Sequence, residues 1–305
     1  MKMKVVNSAL ELIGETPLIK LNHLVPEGAA DVYLKLESFN VAGSIKDRTA
    51  LSMIEGAERE GLIKPGETTL VDSTSGNTGI GLALVAALKG YRLVIVMSEL
   101  ASIERRKLLQ AYGAEIDLVP ASPKGILADM EELDRLVDEK GYFPLRQFEN
   151  KYNPYIHKTT TGPEIYEQLD GKIDAFVSAV GTGGTFTGIA EYLKEQNKDI
   201  LTYAVEPEGS PVLRGGKPGP HKIPGIGSGI IPAILNREII DEVIDVSDEN
   251  AAETAKQLAL KEGLFVGPSS GAATYAAIEK AKILGKGKTI VAIAPDGGDR
   301  YVSQL

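Results

Sequence analysis

The stretch Thr69-Leu-Val-Asp-Ser-Thr-Ser-Gly-Asn-Thr-Gly-Ile-Gly81 decides how the chain is read. It begins as a short apolar strand, breaks at a run of small polar residues, and continues as a helix over 78–89. Ser73, Thr74, Ser75, Asn77 and Thr78 crowd the turn with hydroxyl and amide groups. One such residue would suffice as a helix cap. The surplus predicts an anion site, where free backbone N–H groups and the positive dipole end of the helix face a ligand.

The same pattern extends in both directions. Strand-like runs fall at 32–36, 69–72, 92–97, 115–119, 175–179, 201–206 and 289–294. Helical periodicity falls at 44–60, 78–89, 102–112, 125–140, 162–169, 185–195, 249–262 and 270–284. Several strands are apolar throughout, as in parallel sheets covered on both faces. The alternation predicts an α/β protein with two open twisted sheets flanked by helices. Two four-strand clusters are expected, divided near 147–154. The stretch 210–232 is rich in Gly and Pro and reads as a long functional or mobile loop carrying Lys217, His221 and Lys222.

Composition narrows the chemistry. The 305 residues are 43% hydrophobic and 25% charged, with a formal net charge of −9. These values fit a globular protein and remove the usual electrostatic drive for nucleic acid. No apolar run reaches the roughly 18 residues needed to span a bilayer, and the first residues lack the apolar core of a secretory signal. There is no cysteine, and His23, His157 and His221 are far apart. Disulfides, a thiolate nucleophile and a metal site are therefore not expected, and no G-x-S-x-G elbow is present. A cytoplasmic location fits the absence of cysteine.

Two further turns complete a candidate site. Ser178-Ala-Val-Gly-Thr-Gly-Gly-Thr-Phe-Thr-Gly188 follows a strand and opens a helix. Gly181, Gly183 and Gly184 let backbone close on a ligand, and Thr182 and Thr185 add hydroxyls, which together read as a phosphate cradle. Phe186 stands where a dinucleotide fingerprint needs Gly, and no Walker pattern is present. In Gly43-Ser-Ile-Lys-Asp-Arg48, Lys46 falls in the first turn of a helix, where a desolvated amine near the positive dipole end becomes a nucleophile toward carbonyls. The alternative is an exposed lysine paired with Asp47. A lysine, a phosphate cradle and a carboxylate cradle are the requirements of pyridoxal 5'-phosphate acting on an amino acid. Pro268-Ser-Ser-Gly271 supplies Ser269 for the pyridine nitrogen, although Ser269 serves equally well as a helix N-cap.

Taken in order, these residues resemble the O-acetylserine sulfhydrylase (cysteine synthase) and cystathionine β-synthase family, whose fold is the tryptophan-synthase-β-like, pyridoxal-phosphate-dependent fold type II. The resemblance covers essentially the whole chain. It rests on Ile13-Gly-Glu-Thr-Pro-Leu18, Lys35-Leu-Glu-Ser-Phe-Asn40, Gly43-Ser-Ile-Lys-Asp-Arg48, Thr74-Ser-Gly-Asn-Thr-Gly79 and Glu104-Arg-Arg-Lys107. It continues through Gln147-Phe-Glu-Asn150, Thr161-Gly-Pro-Glu-Ile165, Gly181-Thr-Gly-Gly-Thr185, Gly216-Lys-Pro-Gly-Pro-His-Lys222 and Ser269-Ser-Gly271.

The resemblance implies that Lys46 bonds the cofactor aldehyde and removes the substrate Cα proton. Asn77 would meet the phenolic oxygen of the cofactor, Gly181, Thr182, Gly183, Gly184 and Thr185 its phosphate, and Ser269 its pyridine nitrogen. Thr74, Ser75, Gly76, Thr78 and Gln147 would take the substrate carboxylate, with Gly225 lining the pocket. It implies a smaller, mobile domain over 36–147 and a larger one from 1–35 with 148–305. It also implies β-replacement of O-acetyl-L-serine by sulfide to give cysteine and acetate, in a homodimer. The family's carboxylate cradle also receives the C-terminal tail of serine acetyltransferase, so a pure binding module for that tail is an alternative of another class.

The chain departs from the family at Met97-Ser-Glu-Leu-Ala-Ser102, at Pro144-Leu-Arg146 and at Pro268. Ser98, Leu100, Ala101 and Arg146 thus bear on donor and nucleophile. A serine or cysteine donor, giving cystathionine, lanthionine or hydrogen sulfide, is the alternative within the family. A chain ending at Leu305 is expected to have neither a haem-binding extension nor a regulatory domain.

Overall fold

The computed structural model describes residues 5–122 and 126–304. The strands are β1 (Leu18–Lys20), β2 (Asp31–Leu36), β3 (Thr69–Ser73), β4 (Arg92–Ser98), β5 (Glu115–Val119), β6 (Phe143–Pro144), β7 (Ala175–Ala179), β8 (Leu201–Pro207), β9 (Glu242–Val246) and β10 (Thr289–Ala294). The helices are α1 (Lys46–Arg59), α2 (Asn77–Lys89), α3 (Ile103–Ala111), α4 (Ile126–Lys140), α5 (Tyr152–Ile156), α6 (Gly162–Gln168), α7 (Gly184–Gln196), α8 (Asp248–Gln257) and α9 (Pro268–Leu284). The expected start of the fourth helix, Gly125, lies outside the described residues.

The chain forms two compact units, Met1–Ile13 with Lys46–Asn153, and Gly14–Ile45 with Pro154–Leu305. The first unit holds a four-stranded parallel sheet in the order β5-β4-β3-β6. The second holds six strands in the order β1-β2-β10-β7-β8-β9, parallel except for the β1–β2 pair. Two four-strand clusters are therefore corrected to four and six. The additions are β1 and β9, at the two edges of the larger sheet, and β6, a two-residue edge of the smaller one. Pro144 in β6 lacks an N–H for the ladder, which suits an edge.

The units divide at 46 and 153, whereas the sequence reading divides them at 36 and 147. Residues 36–45 stay with the larger sheet because Ser44 bridges Asp296 and the Ile45 N–H donates to the Pro295 carbonyl at 2.9 Å. Residues 148–153 stay with the smaller unit, where Asn153 Nδ2 donates to the Gln147 carbonyl at 2.8 Å and Thr49 Oγ1 donates to Asn153 Oδ1 at 3.3 Å.

In the smaller unit Val71, Val94, Val96, Leu133 and Leu136 pack α4 against β3 and β4. In the larger unit, one face of the sheet packs Val32, Leu34, Val177 and Ala292 with Ala272, Ala273 and Ala276 of α9. The other face packs Phe176, Val291 and Ile293 against Phe186, Ile189 and Leu193 of α7. Strands buried on both faces explain the unbroken apolar runs in the sequence. Among the described residues, no helix is long and apolar enough to cross a membrane.

The stretch 210–232 is irregular, as its Gly and Pro content predicts, but it is tethered. Buried Glu206 accepts the Leu213 N–H at 2.7 Å and the Arg214 N–H at 3.1 Å, and His221 Nε2 lies 3.0 Å from the Gly227 carbonyl. Elsewhere, α7 closes on the preceding helical segment through Gly188. A Cβ there would lie 2.2 Å from the Pro154 carbonyl oxygen and 2.7 Å from His157 Cβ. The variant Gly188→Ala is accordingly expected to lose about 1–3 kcal/mol, read as a lower midpoint in urea unfolding.

Candidate active site

Helix α1 starts at Lys46, which is half-buried at the first helical position. Its main chain sits against α2, where a Cβ on Gly81 would come 2.8 Å from the Lys46 carbonyl oxygen. The Gly-x-Gly spacing of Gly79 and Gly81 therefore has a packing cause. Gly79 makes room for Thr74 Cγ2 and Gly81 for the start of α1. Asp47 is fully buried, so the picture of an exposed Lys46–Asp47 surface pair does not describe this turn.

The Ser/Thr/Asn turn also belongs to the smaller unit. Gly76 is the N-cap of α2, in extended conformation and without a side-chain cap. The surrounding hydroxyls are used otherwise. Thr74 Oγ1 accepts the Gly76 N–H at 3.1 Å, and Thr78 Oγ1 donates to Gln147 Oε1 at 2.6 Å. Gln147 Nε2 reaches the Ser73 carbonyl at 3.4 Å. The structure thus joins the turn residues Thr74, Gly76 and Thr78 to Gln147, 69 positions beyond Thr78, in one cradle. Ser75 lies exposed on its rim, and Asn77 opens α2.

The glycine-rich turn lies in the larger unit at the carboxyl end of β7. Gly183 takes the left-handed conformation (φ +86°) and caps α7. Gly181 and Gly225, 44 positions apart in sequence, are in close approach. A Cβ on Gly181 would lie 2.4 Å from the Gly225 carbonyl oxygen, and Gly225 itself has φ +87°. Thr182, Gly183, Gly184 and Thr185 are buried. Thr185 Oγ1 meets His157 Nε2 at 3.3 Å, and His157 Nδ1 meets Thr161 Oγ1 at 3.0 Å.

Ser269 is at the second position of α9 and is 5% exposed. The N-cap is Gly267, so capping does not account for Ser269. The first turns of α2, α7 and α9 contain no acidic residue. Acidic side chains commonly neutralise that end of a helix; here the positive ends are left to a ligand.

Residues that depart from the family pattern have definite places. Ser98 Oγ accepts the Leu100 N–H at 3.2 Å, Leu100 is exposed, and the Ala101 carbonyl accepts Arg106 Nε at 3.1 Å. Arg146 has φ +48° and pairs with Asp134 of α4 at 2.6 Å.

Three contacts around the candidate residues escape sequence reading. The first is His157 behind Thr185. The second is Arg105, which donates to the Ser75 carbonyl at 3.1 Å from the quoted Glu104-Arg-Arg-Lys107 motif. The third is Asp72, which directly precedes the cradle and is 2% exposed. Burial pushes the Asp72 carboxyl up to about 7, against the opposing pull of the Ser73, Arg146 and Gln147 N–H groups and the Arg146 charge.

A family model described as pyridoxal-phosphate dependent enzyme matches residues 9–296. The chain belongs to this family. It is 54% identical to a cysteine synthase of Staphylococcus aureus over 306 residues, covering 99% of this chain and 97% of the relative. It is 50% identical to a probable cysteine synthase of Bacillus subtilis, with the same coverage. Its fold matches the crystal structure of a hydrogen sulfide-producing enzyme from Fusobacterium nucleatum with a TM-score of 0.93 and 44% identity, covering 98% of this chain and 100% of that one. The chain is thus a fold type II enzyme, and its cofactor is pyridoxal 5'-phosphate.

The residues present fit that group. The Gly181–Gly225 approach is a cradle that a single Cβ would fill, and it opens at the positive end of a 13-residue helix with hydroxyls beside it.

Because of this close approach, the variant Gly181→Ala should weaken cofactor affinity by at least about tenfold, measured by titrating apoenzyme with pyridoxal phosphate. Asp72 gives a pH signature. The folded state holds a proton that the unfolded chain releases, so the contribution of this carboxyl to stability falls as pH rises from 3.8 to about 7 and is level above that. Asp72→Asn should therefore raise stability by about 1–3 kcal/mol at pH 8 and by little at pH 4, read from urea midpoints at the two pH values.

Proposed function

We propose that this chain is a cysteine synthase that converts O-acetyl-L-serine and sulfide to L-cysteine and acetate, with Lys46 as its catalytic residue. The observation supporting this reading most strongly is that Thr74, Gly76, Thr78 and Gln147 are joined at the amino-terminal end of α2, in the same unit as Lys46. The identity to cysteine synthases over nearly the full chain supports it independently.

Bound pyridoxal phosphate supplies an electron sink for the Cα electron pair and a covalent anchor for the amino nitrogen. The protein supplies the rest. Thr74, Ser75, Gly76, Thr78 and Gln147 orient the carboxylate, which fixes the Cα–H bond relative to Lys46. Lys46 Nζ first holds the cofactor and then takes the Cα proton. Asn77 would meet the phenolic oxygen. Gly181, Thr182, Gly183, Gly184 and Thr185 would hold the phosphate, with His157 orienting Thr185, and Gly225 would line the pocket. Ser269, a neutral hydroxyl, would meet the pyridine nitrogen.

The Ser98–Ala101 segment and the likeness to a hydrogen sulfide-producing enzyme favour a second reading within the same chemistry, in which cysteine is the donor and sulfide leaves. The reading extends to a cytoplasmic homodimer, supported by the absence of cysteine and by the family resemblance. It also extends to the C-terminal tail of serine acetyltransferase as a partner whose terminal carboxylate would enter the same cradle.

Lys46→Ala is expected to reduce cysteine formation from O-acetylserine and sulfide by about 10³-fold or more while the fold persists by circular dichroism. Wild-type enzyme loaded with cofactor that forms no cysteine, but releases sulfide from cysteine, would move the assignment to the second reading.

A further inference from the structure

We propose that Asp72 is a positioning residue for the substrate carboxylate, and that this buried carboxyl takes up a proton when the carboxylate binds. The inference rests on the carboxylate cradle proposed above.

The connection is a short chain of hydrogen bonds within the smaller unit. Asp72 Oδ1 accepts the Ser73 N–H at 3.0 Å. The Ser73 carbonyl accepts Gln147 Nε2, and Gln147 Oε1 accepts the Thr78 hydroxyl. The residue that Asp72 holds at its N–H is therefore the one that orients the Gln147–Thr78 pair through its carbonyl. Beside it lies a small cavity of about 20 Å³, lined by Asp72, Ser73, Met130, Leu133, Arg146 and Gln147. Ser73 Oγ, on this wall, is buried without a hydrogen-bond partner among the described residues, and the Asp72 carboxyl faces the Arg146 and Gln147 N–H groups as well as that of Ser73. An ionised carboxylate can only accept hydrogen bonds, whereas the neutral acid also donates.

Burial among apolar side chains opposes the ionised form of Asp72, while the Ser73, Arg146 and Gln147 N–H groups favour it. β4 places apolar Ile95 opposite it, and α4 presents Ile126, Met130 and Leu133. The cation nearby is Arg146, which Asp134 of α4 already engages, and Glu149 adds a second negative charge to the cavity lining. Bringing another carboxylate to the turn at 74–78 raises the cost of the ionised form further. The burial effect described above places the titration of Asp72 near neutrality in the free protein, so the coupling falls in a measurable range. By linkage, a ligand that favours the protonated form binds more tightly as pH falls through that range.

The probe is propionate, which has the carboxylate and no titrating amine, used as an inhibitor competitive with O-acetylserine on the cofactor-loaded enzyme. The wild type should bind propionate progressively more weakly from pH 6 to pH 8.5, by about tenfold for each unit of coupling. In Asp72→Asn the inhibition constant should be flat over this range. Calorimetry of wild-type binding in two buffers of different ionisation heat should show net proton uptake near pH 7.5, and this readout stands even if the variant folds poorly. A pH dependence unchanged in Asp72→Asn, or zero proton uptake by the wild type, would overturn the proposal. A wild type that turns over no amino acid and binds no propionate at any pH would instead overturn the cradle itself, and the role of Asp72 with it. A purely structural Asp72 would alter unfolding midpoints and kcat but leave the slope of the inhibition constant against pH unchanged.

Discussion

Helix α1 can begin where it does because Gly81 has no side chain. With a Cβ at that position 2.8 Å from the Lys46 carbonyl oxygen, α1 and α2 could not meet at their amino-terminal turns. Backbone-to-helix contact of this kind is rigid, since neither partner can rotate away as a side chain can. It fixes the main chain of Lys46 relative to the turn at 74–78. The Ile45–Pro295 hydrogen bond and the Ser44–Asp296 bridge fix the residues just before it within the larger unit. The lysine thus stands at a covalent junction whose two flanks are both constrained.

The same logic recurs in the glycine-rich turn. The close approach of Gly181 and Gly225 joins the end of β7 to the irregular stretch at 210–232, and Glu206 holds that stretch from below through two backbone N–H groups. A loop of this length would otherwise be expected to move. Here a buried carboxyl converts it into a fixed wall, and burial raises the affinity of Glu206 for its proton against the pull of the two N–H donors. Buried acids at the ends of β3 and β8 therefore organise turns in both units.

Much of the architecture was legible in the sequence because strands covered on both faces write continuous apolar runs, and because their turns use local chemistry. The β3–α2 and β7–α7 turns are of this type. The parts that were not legible are set by distant partners. β9 is an edge strand whose short apolar run is interrupted by Asp245, and β1 and β6 are too short to leave a period. The wide helical turns at His157–Thr161 and Leu258–Glu262 have no propensity signature. At the site, the residues that would touch ligand could be named from motifs. His157 and Asp72 could not, because an imidazole or a carboxyl in sequence gives no sign that it will be wholly buried behind a hydroxyl or a peptide.

In the smaller sheet β4 lies beside β3 in strict parallel register, with Ser73 opposite Val96, so the segment after Ser98 emerges next to the carboxylate cradle. The ladder holds the two strands whatever residues come after them. The segment at 98–101 can accordingly carry different side chains without disturbing the pairing that sets its place beside the turn at 74–78.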